Sequence, residues 1–137
     1  MTVLARAVTQ EYRKDLTATP EFIGRTRRLV TVLLHRWGWG ELTESATLCI
    51  TEMLSNVHKH ADSDVCVLLL QTSPVGVRVV VSDDSPKLPV VHEPDSFAEN
   101  GRGMFLLSTT ADAWGADPTE DGKDVWVEFL PNSVEAA

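Results

Sequence analysis

Little in this chain is basic, and very little of it is sulfur. Twelve lysines and arginines stand against twenty aspartates and glutamates, a formal net charge of −8. A chain so short of cations lacks the footprint that non-specific nucleic-acid binding requires, so no direct nucleic-acid partner is expected. The shortage does not exclude an anionic small ligand, because a local pocket can be positive within an acidic protein. The two cysteines, Cys49 and Cys66, have apolar neighbours and no CxxC spacing. That argues for small buried thiols rather than a disulfide or a metal pair. No apolar run approaches the roughly 20 residues that span a bilayer. The first residues, MTVLARAVTQEYRKDL, lack the basic start and apolar core of a secretory signal. A cytoplasmic protein with no membrane partner is the expectation. Internal repeats and low-complexity tracts are also missing. At 137 residues, 43% of them hydrophobic, a single domain over 1–137 is expected, with an ordered core of about 11–130 and loose ends.

The chain is organised around Glu44 to Ala61, ESATLCITEMLSNVHKHA. Ala46, Cys49, Ile50, Met53, Leu54 and Val57 recur at three- and four-residue steps, the stripe of an amphipathic helix facing a core. Thr43 stands where an N-cap would, and Glu44 falls in the dipole-favoured first turn. Glu52, Asn56 and then Lys59 or His60 fall on one face, a turn apart. A carboxylate, a carboxamide and a cation aimed from one rigid support can hold a metal-bound phosphate chain beside a general base. A solvated helix face is the plainer alternative. His58 and His60, two residues apart, point to different faces, which argues against joint metal ligation.

Around this helix the rest of the chain falls into short elements. Residues 1–10 are expected to be weakly structured, and 11–17 to form a short edge strand. Thr19-Pro20-Glu21 is a helix start, and the helix is expected to run to Trp37 with Phe22, Leu29, Val30, Leu33 and Trp37 on its buried face. Arg25, Arg27, Arg28 and Arg36 crowd its other surfaces, either for solubility or as a patch for an acidic partner. Gly38-Trp39-Gly40 breaks it. After an Asp62–Asp64 turn, Val65–Thr72 and Val77–Ser82 are strands joined by a turn at 73–76, the second apolar enough to be central. It ends on Asp83-Asp84-Ser85-Pro86, a ligand-lining strand end or a plain turn. Residues 86–100 carry three prolines and little periodicity, as lids and binding loops do. Gly101-Arg102-Gly103-Met104 precedes a helix at Phe105–Ala111, where free amides can meet an anion. Strands at 112–116 and Val125–Phe129, joined by a turn at 119–122, close the chain before Pro131 and a mobile tail. Helices first, then strands on short turns, predict an α/β two-layer sandwich with a mixed, largely antiparallel sheet and helices on one face.

ITEMLSNVHKHA, VVVSDDSP and NGRGMFLL, in that order, resemble the ATP-binding domain of the GHKL superfamily, the Bergerat ATPase fold. The chain looks most like its smallest branch, the bacterial anti-sigma-factor serine kinases and related actinomycete ATP-binding regulators, and GKDVWVEF is similar to that branch's last strand. The resemblance implies ATP and Mg²⁺ as cofactors. It makes Glu52 the general base, Asn56 the Mg²⁺ ligand and Lys59 a cation near the phosphates. Asp83 becomes the acceptor for the adenine amino group. Gly101 and Gly103 cradle phosphates as the lid closes, with Arg102 and Met104 touching nucleotide through backbone atoms. The family's Asp-x-Gly is here Asp83-Asp84-Ser85, so Ser85 takes the glycine's place in the base site, although serine resists positive φ. Asp124 stands near a family Thr that meets adenine through water, and a carboxylate there only accepts hydrogen bonds. The implied function is an anti-sigma factor that phosphorylates an anti-anti-sigma antagonist, binds a sigma factor and forms a homodimer. A non-catalytic ATP-binding scaffold is the alternative. The detached ATPase half of a histidine kinase is disfavoured, since no phospho-acceptor hairpin precedes the domain.

Overall fold

The first long helix starts and stops where its sequence says. The computed structural model describes residues 1–88 and 102–131, and within it α1 spans Pro20–Arg36. Proline supplies the first helical φ at no hydrogen-bonding cost. At the other end Gly38 adopts φ 83°, its N–H bonds the His35 carbonyl at 3.3 Å and the Trp39 N–H bonds that of Leu34 at 2.8 Å. Two carbonyls of the last turn are thereby satisfied by a Schellman closure that needs a glycine. The buried face differs from expectation. Ile23, Val30 and Leu34 are buried, whereas Phe22 and Leu29 are exposed; Leu33 and Trp37 pack at the margin. The stripe is turned by about one residue, which leaves Phe22 free to lie under the Arg25 guanidinium, 5.2 Å from its ring centre.

The second helix, α2, spans Thr43–His60, and its buried residues are Ala46, Cys49, Ile50, Met53, Leu54 and Val57. Every position of the expected stripe is inside, each worth about 1–3 kcal/mol of burial according to size. Thr43, however, is not the N-cap. A 3₁₀ turn at Gly40–Leu42 runs straight into α2 and Thr43 is already helical, so Leu42 takes the cap position. With no extended residue before the helix, a side-chain cap cannot form, and the Thr43 hydroxyl is buried without a partner.

The helices cover one five-stranded sheet of β1 (Gln10–Thr17), β2 (Val65–Ser73), β3 (Gly76–Asp83), β4 (Ala113–Pro118) and β5 (Lys123–Phe129). A third helix, α3 (Arg102–Thr110), lies between β3 and β4 in the chain. The spatial order is β1-β2-β3-β5-β4, and every neighbouring pair is antiparallel. β1 is the expected edge and β3, apolar on both faces, is central. Leu68 and Leu70 of β2, Val77, Val79 and Val81 of β3, and Val127 and Phe129 of β5 meet α1 and α2 in one core. This is the two-layer sandwich expected. Among the described residues no helix is long and apolar enough to cross a membrane. The expected lid falls outside the described residues from position 89, as does the tail beyond Pro131.

The chain's first residues are not loose. Thr2 caps a 3₁₀ turn at Val3–Ala5, and Val3 is fully buried. The reason lies on the far face of the sheet, where Glu128 is only 2% exposed and pairs with Arg78 at 2.8 Å. The Thr2 hydroxyl donates to the same carboxylate at 2.6 Å, and Trp126 lies under the Arg78 guanidinium at 4.6 Å. A buried carboxylate needs all of its acceptor sites filled, and the N-terminal turn supplies two of the donors, the Thr2 hydroxyl and the Val3 N–H.

Candidate functional site

The alternation that buries Val77, Val79 and Val81 carries Asp83 onto the same, helix-facing side of β3. The register of β3 and β5 sets Asp83 directly opposite Lys123, and opposite residues share a face. Their side chains, 4% and 9% exposed, form an ion pair. Lys123 Nζ lies 2.9 Å from Asp83 Oδ2 and donates to Oδ1 at 3.0 Å and to the Ser85 carbonyl at 3.1 Å. The Ser85 N–H donates to Asp83 Oδ1 at 2.9 Å, an Asx turn that closes without glycine. Close packing behind the pair is enforced by Gly122. A Cβ there would stand 1.9 Å from the Asp83 carbonyl oxygen, so the turn Thr119–Gly122 can lie against β3 only with no side chain at that position.

Asp124 does not join this group. It lies opposite Ser82, on the face that alternation assigns to Arg78 and Trp126, and accepts from the Ser82 hydroxyl at 2.5 Å. The residue that β5 sets beside Asp83 is Lys123, which motif matching passes over. Its signal was available, because pairing the two strands around a 119–122 turn puts position 123 across from 83.

A second link ties the end of β3 to the end of α2. The Ser63 hydroxyl donates to Asp84 Oδ2 at 2.6 Å and holds that carboxyl below its ordinary pKa. In the same turn His58 Nδ1, from the last turn of α2, lies 3.0 Å from Asp64 Oδ1. Glu52 and Asn56 are half-buried and Lys59 is exposed, on a strip beside the apolar stripe of α2 and not within it. α3 packs against α2 and β4, with Leu107 fully buried. It begins at Arg102, three residues before the expected start, so Gly103 and Met104 belong to its first turn. Gly101 lies outside the described residues. Asn56, one turn beyond Glu52, carries a side-chain carbonyl oxygen. That donor suits a hard cation which keeps several waters and takes its remaining ligands from phosphates.

Neither cysteine is available for chemistry. Burial, and then the charge of Glu52, pushes the Cys49 thiol up to about 12; burial, and then Asp83, does the same for Cys66. At pH 8 only on the order of one molecule in 10⁴ would carry either thiolate. Ellman's reagent should therefore leave the native protein untouched and titrate both thiols after guanidinium unfolding. Rapid modification of the native state would contradict the burial of both thiols in the core.

The family model described as the histidine kinase-like ATPase domain matches residues 16–129. A search of curated proteins gives no match. Among solved structures, the crystal structure of the RsbU and RsbW domains of Rv1364c from Mycobacterium tuberculosis is similar, with a TM-score of 0.66 at 13% sequence identity. The match covers 89% of this chain and 32% of that one. This chain thus spans about a third of that protein's length, and at such identity the likeness is one of fold.

Proposed function

We propose, from the premise that this chain belongs to the histidine kinase-like ATPase domain family, that it is an anti-sigma regulator using ATP to phosphorylate a serine on an anti-anti-sigma antagonist. The observation that supports the reading is that α2 packs against both β3 and α3, the elements that carry the three motifs, within the stretch 16–129 that the family model matches. In this reading Asp83 accepts from the adenine amino group, with Ser85 closing the turn beside it. The first-turn amides of α3, from Arg102, Gly103 and Met104, with Gly101 ahead of them, face the phosphates. Lys59 adds a cation near them. Asn56 would hold Mg²⁺, which when bound neutralises charge on the transferring phosphoryl group. Glu52, one turn away, takes the proton from the attacking serine hydroxyl.

The partner surface in this reading is the outer side of α1. Phe22, Leu29 and Val32 are exposed there, interleaved with the exposed Arg25, Arg28 and Arg36. An apolar stripe edged with guanidiniums suits an acidic amphipathic partner. Sigma factor and antagonist would compete for it, and a phosphate of about −2 charge on the antagonist, set against the apolar residues rather than a guanidinium, would weaken that contact through the cost of its desolvation. A homodimer is the assembly proposed, and the cytoplasm the compartment. Incubation of the protein with γ-labelled ATP, Mg²⁺ and a purified antagonist of this class tests the reading. Transfer of label to a serine is expected. Tight partner and nucleotide binding with no transfer would establish the non-catalytic scaffold instead.

A further inference from the structure

The ion pair at the end of β3 limits what Asp83 can accept. A carboxylate offers about four lone-pair sites, two on each oxygen. Oδ1 receives the Ser85 N–H and Lys123 Nζ, which fills it. Oδ2 lies 2.9 Å from Lys123 Nζ as an ion-pair contact, and among the described residues it is the oxygen with a site left to accept. The ammonium donates to Oδ1 and to the Ser85 carbonyl, which fixes it against the carboxylate. Both side chains are nearly buried, so water cannot readily fill in for a missing partner.

We propose that Lys123 is a positioning residue that sets base selectivity by leaving Asp83 a single acceptor, on Oδ2, for the base. A base with one N–H directed at that oxygen, such as the exocyclic amine of adenine, is satisfied. Guanine presents a ring N–H and an amine side by side, which want both carboxylate oxygens. Oδ1 is full, so guanine leaves one of these N–H groups unpaired in a site closed to water. The inference rests on the reading of Asp83 as the base acceptor.

Calorimetric titration of wild type and Lys123→Met with ATP, GTP and purine riboside triphosphate, which lacks the amine, tests it. Wild type should prefer ATP over GTP by about 10- to 100-fold, the range for one unpaired buried polar group. Lys123→Met frees an acceptor on Oδ1, and the preference should fall to within about threefold. A merely structural lysine would weaken both nucleotides alike, so an unchanged ratio in a folded variant overturns the proposal. Should the variant not fold, wild type decides, because GTP within threefold of ATP also overturns it. Wild type that binds ATP no better than purine riboside triphosphate would instead show that Asp83 does not read the base, a failure of the parent reading.

Discussion

Asp83→Asn is expected to lower ATP affinity by about 10- to 100-fold and to destabilise the fold by about 3–5 kcal/mol. The two losses have different origins. The carboxylate is the counter-ion of an ammonium whose side chain is only 9% exposed, and removing one member of a buried pair strands the other's charge. The asparagine must also turn an N–H toward either Lys123 or the Ser85 N–H, donor against donor. For a chain of this length the melting temperature should fall by roughly 10–20 °C. Asp83→Asn combined with Lys123→Met removes both charges and should recover most of that drop, while ATP binding stays weak because the acceptor is still missing. Calorimetry and thermal melts on the three variants measure both effects. A single variant with wild-type melting would mean that the pair contributes nothing to stability. Wild-type heats of ATP binding would mean that Asp83 does not meet the base.

Glu52→Ala should act on transfer alone. A positioned general base contributes about 10²- to 10⁴-fold to rate, and phosphate transfer to the antagonist serine is expected to fall by that much. Glu52 stands on the flank of α2 beside the buried stripe, so its removal opens no cavity, and stability should change by less than about 1 kcal/mol. Mg²⁺·ATP affinity should stay within a few-fold of wild type. Single-turnover transfer with labelled ATP, alongside binding of unlabelled ATP, separates the two quantities. Equal losses in both would move Glu52 from proton acceptor to part of the nucleotide's binding surface.

Much of the fold was legible because it rests on periodicity. The six apolar positions of α2 all lie inside, and the run at β3 pairs on both sides, as a strand apolar on both faces must. Periodicity was weaker on α1, where Phe22, Leu29 and Leu33 compete with Ile23 and Leu34 for a place beside Val30; the core beneath selected Ile23, Val30 and Leu34. Cap chemistry misled at Thr43, since nothing in the local sequence says that Gly40–Leu42 is already helical. The N-terminal turn was illegible for a different reason. Val3 and Thr2 are ordered by Glu128, 125 and 126 residues away, and no local signal reports that. At the candidate site, motif order points to Asp83 and the α2 strip, but the Asp124 it also points to lies on the opposite face of β5 from Lys123. Only the register shows that Lys123 is the neighbour of Asp83.

The account holds that α2, the end of β3 and the first turn of α3 together grip one magnesium-bound adenine nucleotide. Amide chemical-shift mapping of the labelled protein with Mg²⁺·ATP tests this most directly. Saturable shifts in all three segments, around Glu52–Lys59, Asp83–Ser85 and Arg102–Phe105, with one common dissociation constant, are the result predicted. Shifts confined to one segment, or none that saturate, would contradict it.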